Sequence, residues 1–560
     1  MIQPRSGLWS ILVMLVAVSM IVTACQAGNQ GGNTASDNAA VDPNGAFNTN
    51  MGSEPDTIDP QKESFVGEVG QTMMVFEALM ALDPKTLKPI PGAAKDAPKV
   101  SADGLTYTYT LRDGLKYSDG SPLTVKDFAY AFTRLCDPNV GGDYAFTGYS
   151  IVGCEAYSTT DPKKATPAEL AAAKGKLGIT TSGSDITFKL VEQAPYFNSI
   201  AALWVGVPSR ESDVTKGGDK WTEPATFIGN GPFKLTEWKH NEKMVYERND
   251  NYRTPAKLKT WTKVMINEGA VAFAAYRNNE LDAQGIAAED LRTVNADPDL
   301  KAQVRDVPGS CTFYYGFNTA KPPFTDPKVR MAFAKSFDRA SYVTDVAGGI
   351  GKPIESFLPP GLPGYDPTDH TQAFDVAAAK QLLASSTFAG KPELTGIKFT
   401  YSSSARNKTR TEWVLQQWKT NLGIDIAADP VASTTYTQLV KKPETTPQLF
   451  FLGWCADYPD QQDWLTTVFL STATISHVGW ANTQFDTLTR QADKEPDPKK
   501  RDDTYLAAQK ILTADAPVAF IYSSATKYLL KPYVHGITDT ALDFEFGIFD
   551  MTNISVSKKQ

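Results

Sequence analysis

Residues 103–120 read DGLTYTYTLRDGLKYSDG. Leu105, Tyr107, Tyr109 and Leu111 fall on one side of an extended chain, and Thr106, Thr108, Thr110 and Arg112 on the other. That period of two, closed by Asp113-Gly114, predicts a half-buried strand entering a turn. Directly after it, Thr124 and Asp127 stand three residues apart as a variant capping box, opening a helix with Phe128, Phe132 and Leu135 on one face. A strand with one apolar side followed by a helix with one apolar stripe is the unit from which mixed α/β layers are built.

The pattern repeats outward from this stretch. Residues 185–190, DITFKL, alternate again, and residues 231–248, GPFKLTEWKHNEKMVYER, read as a hairpin turning at Asn241-Glu242. The second half is richer in helix. Asp326-Pro327 supplies an N-cap and a first-turn proline for a helix carrying Val329, Phe333 and Phe337. A helix with Val414, Trp418 and Leu422 stops at Gly423, and IDIAA after it reads as a strand. Asp497-Pro498 opens a further helix with Tyr505, Ala508 and Leu512. No short internal repeat occurs, and the fold class is α/β throughout.

The N-terminus stands apart. Arg5 precedes an apolar run of 15 residues, Leu8 to Val22, and Val22-Thr23-Ala24-Cys25 follows. This is the layout of a secretory signal, and the run falls short of the roughly 20 residues that span a bilayer. A cysteine directly after the small-residue site resembles the bacterial lipobox, so residues 1–25 are read as a lipoprotein signal with Cys25 as the acylated mature N-terminus. Residues 26–46, QAGNQGGNTASDNAAVDPNGA, hold almost no large apolar side chain and read as a flexible tether outside the fold. The chain is therefore expected to be exported and lipid-anchored at the cell membrane, facing the periplasm or the cell surface.

About 510 residues remain, enough for three domains or two large lobes. A net charge of −8 without a basic block argues against nucleic acid as a partner. With Cys25 assigned to lipid, four cysteines are left in an exported chain, and three pairings are possible. Cys136 and Cys154 are near in sequence with Gly141-Gly142 between them, so they are paired, which leaves Cys311 for Cys455. No CxxC, HExxH or GxSxG spacing occurs and there are only four histidines, so no metal, no cofactor and no enzymatic activity are expected.

Several segments together resemble a family. GNGPFKLTEWKHNEKMVYERNDNY (229–252), FNTAKPPFTDPKVRMAFAKSFDR (317–339) and GWCADYPD (453–460) are similar to the solute-binding proteins of peptide ABC importers, the oligopeptide/dipeptide-binding family, extracellular solute-binding protein family 5. So are EPDTIDP (54–60), FEALM (76–80) and the stretch 103–128. The resemblance runs from about Gly52 to Pro532 and is nearest to the oligopeptide-binding branch.

The resemblance implies a bilobal periplasmic-binding-protein-like fold with an extra inserted domain. Lobe I would comprise residues 47–76, 205–310 and 525–560, with the extra domain at 77–204 and lobe II at 311–524. The lobes would close on a hinge. The implied ligand is a short peptide bound as an added strand, delivered by a monomer to an ABC permease and ATPase complex. One main-chain partner would be Gly453-Trp454-Cys455, and the other Ser64, Phe65 and Val66. Asp457 would pair with the ligand's α-ammonium group. Read on its own, an Asp two residues before Pro459 can instead be a turn cap. Trp454 and Tyr458 would wall side-chain pockets, while Asn230 and Gly231 serve the fold. The chain departs from the oligopeptide-binding pattern where Arg and His meet peptide carboxylates: Phe451 and Asn407 stand at those places, with Arg406, Lys408 or Arg410 as the charges that can compensate. The family also takes nickel complexes, sugars and other solutes, and a surface receptor or chaperone would use the same cleft, so the ligand stays open at this point.

Overall fold

The computed structural model describes residues 40–440, 444–473, 478–542 and 550–558, without the side chains of 405, 406, 433, 434 and 437. The signal segment and Cys25 lie outside the described residues, as does most of the predicted tether. Its last part does not behave as predicted. Val41 bridges to Ser557, Asp42 donates to the Val556 carbonyl at 2.8 Å, and a strand (β1, Ala46–Asn50) follows at once. Side-chain composition predicted no burial for 41–46; main-chain bonds to the C-terminal strand, which need no apolar side chain, hold it in place.

After β1 come helix α1 (Val66–Val75), strand β2 (Thr106–Thr110), helix α2 (Val125–Leu135) and strand β3 (Asp185–Lys189). β2 and β3 pair antiparallel in a four-stranded sheet, with Tyr107 and Tyr109 buried as the alternation requires. Asp127 accepts the Thr124 N–H at 2.8 Å, closing the predicted box at the start of α2. Phe128 and Phe132 are wholly buried on its inner face.

The hairpin β4 (Phe233–Lys239) and β5 (Lys243–Arg248) turns through Asn241, whose φ of 62° is a left-handed position that asparagine tolerates. Strands β6 (Thr260–Val264), β7 (Ala283–Gly285) and β8 (Val304–Phe317) follow, then helix α3 (Pro327–Ala334). Asp326 caps α3 through the Lys328 N–H. Phe337 falls beyond its end, but is still buried against Tyr315 and Trp418. Strand β9 (Lys398–Ser402), helix α4 (Ala405–Leu422) and strand β10 (Ala427–Val431) come next. Gly423 ends α4 at φ 73°. The strand read at IDIAA begins only at Ala427, where the ladder with β9 starts; Ile424 and Ile426 spend their apolar side chains in the core before it. Strand β11 (Leu449–Cys455), helices α5 (Gln461–Phe469), α6 (Thr483–Lys494) and α7 (Pro498–Asp515), and strand β12 (Val518–Leu530) complete the set.

Ten of these strands form one path in the order β10-β9-β11-β8-β12-β7-β1-β6-β5-β4. The long antiparallel pair β8 and β12 is its spine. Val304–Pro308 pair with residues 525–529, and Thr312–Gly316 with residues 518–523. The register shifts between Pro308 and Thr312, so Gly309, Ser310 and Cys311 form an irregularity where the two halves of the sheet meet. Gly309 is required there, because a Cβ would stand 2.1 Å from Ser524 Oγ. The structure joins Cys136 to Cys154, and Cys311 to Cys455 across the β8–β11 pair.

Candidate functional site

The site is built on β11. One edge pairs with β8 from Leu449 to Cys455. On the other edge β9 reaches only Leu449 and Phe450, and among the described residues no strand pairs with Gly453–Cys455 on that side. Antiparallel partners alternate, so every second residue bonds the same neighbour. Ala456 donates to the Ser310 carbonyl at 3.0 Å, which directs Trp454 and Leu452 to β8 and turns the main-chain groups of Phe451, Gly453 and Cys455 to the open edge. The Tyr436 hydroxyl, donating to the Phe451 carbonyl from that side, agrees with this phase. Gly453 lies flat against Phe313: a Cβ would meet its ring at 2.6 Å.

Just beyond the open edge stands Asp457, 9 % exposed. Its Oδ1 accepts the Tyr144 hydroxyl at 3.0 Å, and its Oδ2 is buried without a partner. Its own N–H donates to Asp463 Oδ2 at 3.0 Å from the first turn of α5. The turn-capping duty belongs to a different aspartate: Asp460 accepts the Gln462 N–H at 2.8 Å and forms a two-bond pair with Arg501. Asp457 is thus free of local structural work. Burial drives its pKa up to about 7, partly opposed by the Tyr144 bond. Burial also raises Asp463 well above the carboxylate range, and the Asp457 charge adds to it; the Asp457 N–H and the nearby Trp454 indole oppose the shift. The indole N–H makes no hydrogen bond of good geometry. A desolvated carboxylate with an unused oxygen is costly unless a cation meets it.

The other predicted residues divide. Ser64 and Phe65 donate their N–H groups to Glu68 Oε2 at 2.9 and 3.1 Å, closing the start of α1, so those two donors are engaged within the protein. What this turn offers is side chains, with Phe65 61 % and Val66 45 % exposed. Val66 and Cys311 line one cavity of about 330 Å3 over the irregularity in β8, which brings the N-terminal segment up to the disulfide of β11. Tyr458 is buried and stacks on Tyr196 at 6.4 Å, a packing role rather than a pocket wall. Trp454 is half-buried against the same core. Asn230 bonds both main-chain groups of Glu77, a role in the fold. Asn407 is spent on the Ser402 carbonyl and Lys408 faces Glu412 on the surface. The Arg406 side chain lies outside the described residues, and Arg410 is buried over the Phe451 ring. Sequence reasoning missed Tyr144 and Asp463. The three-residue spacing of Asp457, Asp460 and Asp463 was a usable signal for the second; nothing in GGDYAF pointed to the first. Among the described residues no cluster of His, Cys, Asp and Glu could hold a metal ion.

The long strand pair of one continuous sheet thus carries, beside it, an open strand edge that ends at a desolvated carboxylate. Comparison with known proteins identifies the family. The profile of bacterial extracellular solute-binding proteins, family 5, matches residues 88–476, and the chain belongs to that family. It is 29 % identical over 552 residues to the oligopeptide-binding protein OppA of Bacillus subtilis, covering 94 % of this chain and 96 % of that one. The structure of the Escherichia coli murein tripeptide binding protein MppA superposes with a TM-score of 0.77 at 28 % identity, covering 93 % of this chain and all of that one. Haemophilus influenzae OppA in complex with the peptide RPPGFSPFR gives 0.76 at 25 % identity, covering 93 % of this chain and 100 % of that one.

Proposed function

We infer that this protein is the exported, substrate-binding component of an ABC importer, anchored by lipid at Cys25, and that it captures short peptides with a free N-terminus. The observation that carries this reading is the open edge of Gly453–Cys455 ending at Asp457. A peptide laid along that edge gains main-chain bonds that read no side chains, which suits a transporter of mixed peptides. Its ammonium group meets the unpartnered Oδ2 of Asp457. The peptide-binding relatives support the ligand class. The register irregularity at Gly309–Cys311 suits a hinge between lobe I (47–76, 205–310, 525–560, with the extra domain 77–204) and lobe II (311–524). The monomer binds and hands over its ligand to a permease and ATPase complex and performs no chemistry on it. Native mass spectrometry of gently purified protein tests the reading: copurified peptides of a few residues support it, and a non-peptide solute in the cleft overturns it.

A further inference from the structure

Residues 59–68 hold three carboxylates, Asp59, Glu63 and Glu68, and all three are buried. Two of them are compensated. Asp59 takes two bonds from Arg134 of α2 and one from the Trp221 indole at 3.0 Å. Glu68 takes the N–H groups of Ser64 and Phe65 at the start of α1. Glu63 is the exception. It is wholly buried, its Oε2 has no partner, and among the described residues no cation pairs with it. Arg134 is spent on Asp59 and Gln61, and Lys62 is exposed. The Thr72 hydroxyl, from α1, meets Glu63 Oε1, and the same hydroxyl lies 3.3 Å from the Ile58 carbonyl. A hydroxyl has one proton to give. If Thr72 gives it to an ionised Glu63, the Ile58 carbonyl goes without. If Glu63 carries its own proton, it donates to Thr72 and Thr72 donates to Ile58. The bare Oε2 is then a neutral carbonyl oxygen, a less costly group to leave unpaired than a charge. The chain Glu63–Thr72–Ile58 is complete only with the acid neutral. Burial pushes the Glu63 carboxyl well above its ordinary range; the Thr72 bond opposes this, and Asp59 and Glu68 add to it.

The place of this proton gives it a consequence. Glu63 directly precedes Ser64, Phe65 and Val66. Its N–H is held by the Asp59 carbonyl at 3.1 Å and its side chain by α1, so it fastens this turn to the helix. Phe65 and Val66 are exposed, and Val66 lines the cavity of about 330 Å3 that reaches Cys311 at the irregularity in β8. An ionised Glu63 needs water or a cation, and its seat supplies neither. It is hydrated only by withdrawing from Thr72, and the turn moves with it. We propose that Glu63 is a positioning residue worked by its own proton: neutral, it seats the turn that presents Phe65 and Val66 to the cleft, and ionised, it releases the turn and lowers affinity for the ligand. The affinity half of this rests on the peptide reading; the seat itself does not. The folded protein keeps a proton on Glu63 that the unfolded chain gives up in the ordinary carboxylate range. The stability of the seat is therefore present at low pH and is lost as pH climbs through the raised folded value.

The test compares wild type with Glu63→Gln, which keeps the shape of the neutral acid, from about pH 5 to about pH 9. Calorimetry reads the affinity for tri-alanine, thermal scans read the melting temperature, and hydrogen exchange, corrected for its intrinsic pH dependence, reads protection of the Ser64 and Phe65 N–H groups. Asp457, Asp463 and the ammonium group of the peptide titrate in both experiments and cancel in the ratio of the two proteins. As pH rises, wild type is expected to lose affinity relative to the variant by up to about tenfold per pH unit past the Glu63 midpoint. Over the same range it loses protection at Ser64 and Phe65 and melts progressively lower than the variant. Equal pH profiles for the two proteins overturn the proposal, as does a loss of affinity with that protection intact. If neither protein binds at any pH, the peptide reading fails and exchange and melting judge the seat alone: a loss confined to wild type keeps it, and parallel curves remove it. If the variant does not fold, exchange in wild type decides. Protection of Ser64 and Phe65 that is unchanged across the range overturns the proposal, and its loss while the rest of α1 stays protected upholds it.

Discussion

The Tyr144 hydroxyl donates to Asp457 at 3.0 Å, joining two residues 313 positions apart. Tyr144 is itself held by its stack on Trp204 at 5.1 Å. Two further contacts run between the same regions of the chain, the Tyr196–Tyr458 stack and the Lys494–Glu192 ion pair. The carboxylate at the end of the open strand edge is thereby positioned from two sides, by Tyr144 at its oxygen and by Asp463 at its main chain. That leaves Oδ2 as the oxygen of this carboxylate without a partner.

The first prediction concerns that oxygen. Removing one partner of a buried charge pair costs about 2–5 kcal/mol. Asp457→Ala is therefore expected to weaken free peptides about 30-fold to several thousand-fold, and N-acetylation to weaken them similarly in wild type. The two losses share one pair and so do not add. Calorimetry on the two proteins and two peptides checks this; equal binding of acetylated and free peptide by wild type would remove Asp457 from the role.

The second concerns pH. Asp457 rises from an ordinary 3.8 to about 7 through burial, so the folded, ligand-free protein holds a proton there that the unfolded chain has released. The stability this gives is present at low pH and is lost as pH climbs from about 4 through about 7. Asp463, shifted the same way, adds to the slope. Binding of an ammonium group runs the other way, since it needs the ionised form: affinity should climb through neutral pH and level off above it. Tyr144→Phe removes the bond that holds this pKa down, so its binding profile should shift to higher pH. Titration calorimetry at a series of pH values measures the midpoint, and Asp457→Asn should abolish it.

What could be read in advance divides by distance along the chain. The alternation at Leu105–Leu111, the caps at Thr124, Asp326 and Asp497, and the stop at Gly423 are decided within a few residues, and each is where the sequence places it. The open edge of β11 depends on how far β9 reaches, a fact of register between segments fifty residues apart. That Asp460 and not Asp457 does the capping depends on where helix α5 begins, since Asp460 accepts the Gln462 N–H in its first turn. Residues 41–46 are ordered by a partner at the opposite end of the chain. Composition alone could reveal none of these.

The third prediction separates the disulfides. Cys311–Cys455 closes 144 residues and Cys136–Cys154 only 18. In the chain-entropy treatment the first is worth about 5 kcal/mol and the second about 3, before native-state strain. Cys311→Ser with Cys455→Ser should therefore lower the melting temperature more than the other pair. It should also weaken peptide binding if peptide takes the open edge as proposed, because Cys455 lies on that edge. Denaturant titration of both double variants, with peptide calorimetry, checks the order; a larger loss from the Cys136–Cys154 pair would contradict it.

The fourth tests whether the flatness of the strand at Gly453 is a binding feature. A Cβ there would meet the Phe313 ring at 2.6 Å and the Thr312 carbonyl at 3.0 Å. Phe313 has little room to give way, because it is stacked between Phe451 at 5.7 Å and Tyr522 at 5.0 Å. Gly453→Ala must therefore push β11 away from β8 or displace the ring, an overpacking that typically costs about 1–3 kcal/mol. Displacing the strand also moves the N–H and C=O of Gly453 that face the open edge, so affinity should fall together with stability. Phe313→Leu removes ring atoms from the point of collision. Added to Gly453→Ala, it should restore binding toward wild type even though it leaves its own small cavity. Restored stability without restored affinity would mean that the edge at Gly453 does not carry the ligand's backbone.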